Sequence, residues 1–300
     1  MDWTMTLSSR QDMANPLEES TRRVATRLGN LHVRIVGQGP TAVLFPSMFV
    51  DTHTFDPLIP HLAGIRRLVL IDPPGLGESD PLQRFTSIGE VADVTRDVFR
   101  ELGIDSPVDF IGNAYGGHVG YKLARERGLL RSLVAISAPP EANPPNIIRM
   151  TKLGLWLMPI VGRGPLLKPI GSKMLTPASM KDPAIWNVWR AGLLAPTRRS
   201  LANSVRSLVL VRPDVRDELR EIVVPSLYVV SDQRGEWGPA SAEQAAEMTP
   251  DAKVAVVTGA STLVPLEQPV ALARVTQEFW NALPPDQPTD QTEASEIPQA

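Results

Sequence analysis

One segment near the middle of the chain combines a buried strand, a tight turn and the start of a helix. Residues 108–118 read VDFIGNAYGGH, and Gly112 and Gly116 flank Ala114 at the centre of the turn. Glycine lets the backbone pass through a sharp, strained turn because it has no Cβ to collide with neighbouring chain. Such a turn raises its central side chain above the sheet. The segment therefore predicts an α/β architecture, with a methyl group at the raised position.

The composition limits the kind of protein that can contain this turn. A chain of 300 residues is long enough for one large α/β domain with an insertion. The absence of cysteine excludes disulfides, thiolate nucleophiles and cysteine-ligated metals. The net charge of −3 provides no electrostatic basis for binding nucleic acid. Because no secretory leader is evident and no apolar run reaches the roughly 18–20 residues of a membrane span, we expect a cytoplasmic protein.

Short apolar runs recur along the chain, separated by segments with helical periodicity. Residues 41–45 and 68–71 are almost entirely apolar, as expected of strands buried on both faces. Residues 22–27 and 31–36 predict a hairpin joined at Gly29 and Asn30, which both tolerate positive φ. Alternating strands and helices predict a mostly parallel central sheet of about eight strands flanked by helices. The remaining predicted strands are the one that leads into the turn and residues 133–136, 227–230 and 254–257.

Helix signals and proline positions divide the chain into regions. Ser87 and Glu90 fit a capping box, and Gly103 is placed to end the helix that they begin. Between residues 141 and 221 prolines interrupt helix-like apolar segments and no buried strand is visible, which predicts an inserted helical cap. The core then comprises residues 22–140 and 222–282. Residues 1–21 are a polar lead-in, and residues 283–300, with four prolines and no Lys or Arg, are a predicted disordered acidic tail.

The order and spacing of three motifs resemble those of the α/β-hydrolase family with a helical cap, over roughly residues 22–282. The motifs are GNAYGG at residues 112–117, DPPGLGES at 72–79 and PSLYVV at 225–230. In this family the glycine-flanked turn is the nucleophile elbow. The resemblance implies the α/β-hydrolase fold, in which a nucleophile, an acid and a histidine hydrolyse esters, amides, epoxides or carbon–halogen bonds.

The three positions that the resemblance assigns to the catalytic triad are all substituted. The nucleophile position is Ala114, the acid position after the seventh strand is Arg234, and the histidine position after the eighth strand is Thr262. A methyl group cannot attack a carbonyl. No offset of the alignment supplies a late histidine, because none follows residue 118. Alternative acids under a small offset, or after the sixth strand, are Asp232, Glu236 and Glu141.

Binding groups survive these substitutions. The main-chain N–H groups of Met48 and Tyr115 match the two oxyanion donors of the family, and a main-chain donor does not depend on its side chain. Apolar residues of the cap either line a hydrophobic pocket or pack against the core. Basic residues flank them (Arg149, Lys152, Arg163, Lys168 and Lys173), which also allows a membrane-surface role. The further binding candidates are Ser47, Phe49, Asp51, His53, Asp232 and Trp156.

Two of the four histidines lie near the expected pocket, and each has two interpretations. His118 is either a substitute base or a packed histidine directed away from the pocket; its place on a helix that leads away from the elbow favours the second. His53 either contacts a ligand or is a solvated loop residue. No cluster with metal-ligand spacing is visible, and residues 75–77 lack the rest of a dinucleotide fingerprint, so we expect no cofactor.

Three functions fit these observations. The first is binding of a hydrophobic small molecule followed by non-hydrolytic chemistry, such as cyclisation, elimination or rearrangement, through positioning and oxyanion-type electrostatics. The second is a non-catalytic binding or interaction protein on the same scaffold. The third is a serine ester hydrolase captured as an inactive Ser-to-Ala variant at position 114. Turnover, the ligand and the oligomeric state stay open at this point, because one scaffold supports many chemistries.

Overall fold

A computed structural model of the protein describes residues 18–232 and 237–284. Most of the predicted lead-in and the predicted disordered tail lie outside these ranges. Within them, the strands are β1 (Glu19–Thr26), β2 (Gly29–Val36), β3 (Thr41–Phe45), β4 (Arg67–Ile71), β5 (Val108–Asn113), β6 (Leu130–Ile136), β7 (Ser226–Ser231) and β8 (Ala252–Val257). The α-helices are α1 (Ile59–Leu62), α2 (Ile88–Glu101), α3 (Tyr115–Leu123), α4 (Pro145–Val161), α5 (Leu167–Met174), α6 (Pro183–Leu194), α7 (Arg198–Val205), α8 (Pro239–Met248), α9 (Val264–Glu267) and α10 (Pro269–Asn281).

The strands form one sheet in the order β1-β2-β4-β3-β5-β6-β7-β8. β2 pairs antiparallel with β1 and β4, and every pairing from β4 to β8 is parallel. Both faces of the sheet are buried: along β3, Val43 and Phe45 belong to one apolar cluster, and Ala42 and Leu44 belong to the other. This alternation is the two-residue period of a strand covered on both sides. The predicted α/β-hydrolase architecture is therefore confirmed.

The hairpin turn lies earlier than the sequence predicts. Gly29 and Asn30 belong to β2, and Arg27 and Leu28 form the turn instead. The hydroxyl of Thr26 stabilises this arrangement, because it donates to the carbonyl of Gly29 at 2.7 Å and accepts from the N–H of Leu28 at 3.1 Å. A local side-chain bond to the backbone thus moves the turn by two residues.

The insertion between β6 and β7 contains α4 to α7 and lies over loops that follow β3 and β4. The hydroxyl of Ser200 donates to the carbonyl of Gly75 at 2.8 Å and accepts from the N–H of Leu82 at 2.9 Å. The backbone of Gly192 approaches Phe49, since a Cβ at this glycine would lie 3.0 Å from the Phe49 carbonyl oxygen. These contacts hold the helices above the carboxyl ends of the parallel strands, where α/β folds bind their ligands.

The elbow between β5 and α3 packs so closely that neither of its flanking glycines has room for a side chain. A Cβ on Gly112 would lie 2.3 Å from the backbone of Gly116. A Cβ on Gly116 would lie 2.1 Å from the carbonyl oxygen of Phe45 in β3. Both distances are far below van der Waals contact, and the atoms that would be met belong to the backbone of α3 and of β3. The two glycines are therefore structural requirements of the elbow.

We expect Gly116→Ala to lower the free energy of unfolding by about 3 kcal/mol or more, because the new Cβ forces α3 away from β3. Gly89→Ala is the matched control: it also lies in the first turn of a helix, and its Cβ would meet only the Ser87 hydroxyl, at 3.7 Å. There alanine should be neutral or stabilising by roughly 0.5–1 kcal/mol. Urea unfolding of both variants measures the difference, and equal effects would contradict this account of the elbow.

Candidate functional site

Ala114 adopts the strained conformation of a nucleophile elbow although it has no nucleophile. Its backbone lies at φ 46° and ψ −101°, a region that residues other than glycine rarely occupy. The N–H of Ala114 donates to the carbonyl of Ile136 in β6 at 2.7 Å, which ties the elbow to the neighbouring strand. The fold therefore maintains the raised position above the sheet, and a methyl group occupies it.

A cavity of about 1020 Å³ lies between the elbow and the inserted helices. This volume is at the upper end of the range of small-molecule pockets. α4, α5 and α7 supply much of its apolar wall, including Leu155, Met158, Ile170 and Leu201. Six of the predicted triad and binding residues line the same cavity, and so does the alternative acid Glu141; the six are Ser47, Met48, Phe49, Ala114, Tyr115 and Thr262.

The main-chain donors predicted near the elbow are available to the cavity. Tyr115 is the first residue of α3, so its N–H has no acceptor within the helix. Among the hydrogen bonds of residues 18–232 and 237–284, none is donated by the N–H of Met48 or of Tyr115. Both residues line the cavity together with Ala114. Two unused donors beside the vacant nucleophile position make a site that can accept a carbonyl oxygen or an anion.

Thr262, at the position of the family histidine, belongs to a loop that is bonded to the insertion. The N–H groups of Thr262 and Leu263 donate to the carbonyl of Met174 at 3.2 and 3.3 Å. The buried carboxylate of Glu267 accepts from Thr176 in the insertion at 2.8 Å and from Ser261 at 2.7 Å. This loop therefore joins the insertion to the core and supplies no base.

Four other predicted binding residues lie outside the lining. The exposed ring of His53 bonds to the carboxylate of Asp51 at 3.0 Å, and this bond raises the pKa of His53. Asp232 is exposed and accepts from the N–H of Gly259 at 3.1 Å. Trp156 points outward from α4, with 67% of its surface exposed, because the opposite face of the helix is the one that packs over the cavity. Arg234 and the alternative acid Glu236 lie outside the described residues.

His118 contributes to the wall of the cavity, and its ring lies 5.8 Å from that of Tyr121 with both nitrogens buried, which fits the interpretation of a packed histidine. α3 begins at the elbow, and four residues later its surface is still part of the cavity wall. The ring is buried, and neither nitrogen has a hydrogen-bond partner among the described residues. Burial, aided by the positive charges of Arg212 and Lys122, lowers the pKa of His118 to about 3. At neutral pH this imidazole is uncharged, with one donor and one acceptor.

Two further polar groups in the lining lack a partner among the described residues: the hydroxyl of Tyr115 and the indole N–H of Trp237. Burial raises the pKa of Tyr115 well above its ordinary value, so its hydroxyl keeps its proton. Sequence reasoning missed Trp237, which no motif marks. It also missed Ser137, whose position directly after β6 is a usable signal because α/β sites lie at the carboxyl ends of strands. The charged residues of the lining are Glu141, Arg163, Lys173 and Arg212.

Two kinds of site are missing from residues 18–232 and 237–284. No group of three or more His, Asp or Glu side chains is placed to hold a metal ion. None of the helices in these ranges is long and apolar enough to cross a membrane.

Comparisons with known proteins agree with this geometry. A model of the alpha/beta hydrolase family matches residues 36–275. A pimeloyl-[acyl-carrier protein] methyl ester esterase of Stenotrophomonas maltophilia is 25% identical over 269 residues, covering 85% of this chain and 98% of that protein.

Solved structures show the same fold at lower identity. An enol-lactonase from Burkholderia xenovorans superposes with a TM-score of 0.79 at 19% identity, covering 87% of this chain and 100% of that one. A thermophilic esterase from Thermogutta terrifontis superposes with a TM-score of 0.76 at 19% identity, covering 88% of this chain and 98% of that one.

We expect His118 to make the protein less stable as the pH falls below the ordinary histidine pKa of about 6.5. Between this value and the folded-state pKa of about 3, the unfolded chain binds a proton that the folded chain excludes. At pH 5 the loss relative to pH 7 should be about 2 kcal/mol from this residue alone.

His118→Phe removes this titration and should reduce the difference in unfolding free energy between pH 7 and pH 5 by that amount. Urea unfolding at the two pH values measures it, with His61→Gln as the control because His61 is exposed on α1. An unchanged pH dependence in His118→Phe would show that the imidazole is not buried in its neutral form.

Proposed function

Because the chain belongs to the alpha/beta hydrolase family, we propose that it binds a hydrophobic carbonyl compound and transforms it by non-hydrolytic chemistry. The proposed reaction is a cyclisation, an elimination or a rearrangement. The observation that carries the proposal is the pairing of a large apolar cavity with the unused N–H groups of Met48 and Tyr115 beside the methyl group of Ala114. The site can orient and polarise a carbonyl group, and it has no side chain at the elbow with which to attack it.

Recognition of a carbonyl compound rests on the two main-chain donors. A carbonyl oxygen that accepts from both N–H groups gains charge stabilisation as negative charge develops on it. An enolate or an alkoxide on the way to a cyclised or dehydrated product develops such charge without a covalent bond to the protein. The small side chain of Ala114 leaves room for the carbonyl group directly above the elbow.

Ester hydrolysis fits the site less well, although the similar proteins include esterases. The S. maltophilia relative is named for a methyl ester, which is itself a carbonyl compound, so the similarity supports carbonyl binding. Hydrolysis by the family's route needs a nucleophile at position 114 and a late histidine, and this sequence has neither. The loop that would present the histidine instead bonds the insertion through Met174 and Glu267.

The alternative is a protein that binds the same class of ligand and releases it unchanged. The two are distinguished by incubating the protein with lipophilic β-hydroxy ketones and following them by liquid chromatography and mass spectrometry. Elimination appears as loss of water, and rearrangement or cyclisation as a new compound of unchanged mass. Saturable binding of these ketones with no product under any condition would favour the binding protein.

We expect Ala114→Ser to remain unlabelled by a fluorophosphonate probe, because no histidine is placed to activate the new hydroxyl. The unmodified chain is the blank, and circular dichroism confirms that the variant is folded. Rapid labelling of the serine variant would reveal a base that the sequence and structure do not show, and would return an inactive serine hydrolase to first place.

Gly154→Leu tests the cavity directly. Gly154 lies on α4 in the lining, and a Cβ there would meet no atom within 4 Å, so leucine should enter the cavity without strain. We expect it to weaken binding of the probe 1-phenyloctan-1-one at least tenfold, measured by isothermal titration. Gly64→Leu is the matched control, because its Cβ also meets nothing but lies outside the lining. Equal binding by all three proteins, or no binding by the unmodified chain, would contradict the proposal.

A further inference from the structure

We propose that the outer face of α4 docks onto a membrane surface that contains anionic lipids. This α4 outer face consists of Arg149, Met150, Lys152, Leu153, Trp156 and Ile160. Its members recur at intervals of three and four residues, so they share one side of the helix. The opposite side, with Ile147, Thr151, Leu155 and Met158, lines the cavity.

The α4 outer face exposes more large apolar side chains than is usual for a helix whose outer side faces only water. Five of the eleven large apolar residues that are exposed in the described chain lie on α4: Met150, Leu153, Trp156, Ile160 and Val161. The exposed fractions of Trp156 and Ile160 are 67% and 74%. Single exposed apolar residues are ordinary, but a contiguous group of them marks an interaction surface.

The positive charge around α4 indicates which kind of partner binds its outer face. Residues 142–181 contain six Lys and Arg and no Asp or Glu, although the whole chain has a net charge of −3. Within the described chain, the exposed cations Arg149, Lys152 and Lys168 form no ion pair, whereas many arginines of the core are paired with carboxylates. The partner of this surface is therefore anionic.

An anionic lipid surface can bury the exposed apolar residues of this face and also pair with its cations. A second copy of the chain or a nucleic acid would do only one of the two. A second copy of the chain would bring Arg149 and Lys152 close to the same two cations of its partner, so self-association through α4 is opposed by charge. Nucleic acid would leave the central apolar residues unburied. A helix with Trp and aliphatic residues beside Lys and Arg is the pattern of segments that lie in the plane of a membrane interface. Trp156, beside Lys152 and Leu153, is suited to the boundary between headgroups and acyl chains.

Docking in this way would connect the membrane with the cavity. α4 separates the two by the thickness of one helix, and Met150 is both exposed and part of the lining. A hydrophobic ligand dissolved in the lipid could then reach the cavity without crossing water. The docking itself does not depend on which reaction, if any, follows.

Co-sedimentation with vesicles tests the proposal. We expect the full chain to bind equimolar phosphatidylcholine–phosphatidylglycerol vesicles at least tenfold more tightly than pure phosphatidylcholine vesicles, with binding lost in high salt. Trp156→Ser combined with Ile160→Ser should weaken binding to the anionic vesicles at least tenfold, and so should Arg149→Gln combined with Lys152→Gln. Phe85→Ser and Arg100→Gln are matched controls, because they remove an exposed aromatic residue and an exposed cation from elsewhere on the surface.

Three results would overturn the proposal. They are no binding to anionic vesicles, an equal loss of binding in the two controls, and full binding by both α4 double variants. Sedimentation velocity adds a fourth: a dimer that Trp156→Ser dissociates would assign the face to self-association. If the apolar double variant fails to fold, the Arg149→Gln and Lys152→Gln pair decides the matter, since both side chains are exposed.

Discussion

The close approach of α3 to β3 is the constraint on which the rest of this site depends. The carbonyl oxygen of Phe45 lies where a side chain of Gly116 would have to be, and the backbone of Gly116 fills the space beside Gly112. Beside this contact Ala114 has positive φ and α3 begins, and the N–H of Tyr115, at the first residue of the helix, has no acceptor within it. Strain of this kind costs about 1–3 kcal/mol and persists only where surrounding structure imposes it. The elbow keeps that geometry even though its side chain has no reactive atom.

The loop after β8, where the family resemblance predicts the position of the histidine, holds the inserted helices in place. Thr262 and Leu263 donate to Met174, and Glu267 bridges Thr176 and Ser261. A buried carboxylate that accepts two N–H bonds is costly to disturb, because its removal would leave two buried donors without a partner. The loop thus contributes to the shape of the cavity rather than to proton transfer.

Much of the fold was predictable because it follows from local periodicity. The run at β3 was predicted with its observed bounds, and the helix that begins at Ser87 has the predicted cap, in which the hydroxyl accepts from the N–H of Glu90 at 3.1 Å. The hairpin turn was misplaced because the hydroxyl of Thr26 competes with the glycine signal through bonds that sequence spacing does not reveal. The site was predicted in part: one motif contains Ala114 and Tyr115, and the family resemblance adds Met48, while Trp237 lies in the wall without any motif.

The sequence by itself determined that no family-type hydrolytic triad can form, because a methyl group stands at position 114 and no histidine follows residue 118. It also determined that residues 142–181 combine many apolar residues with six Lys and Arg and no Asp or Glu. Only the tertiary structure decided where these side chains lie: His118 is buried in the wall of the cavity and Trp156 is exposed to solvent. The physical reason is that both faces of α4 are apolar and α3 is buried nearly all round, so periodicity alone does not orient them. Packing against the elbow and the core makes that choice.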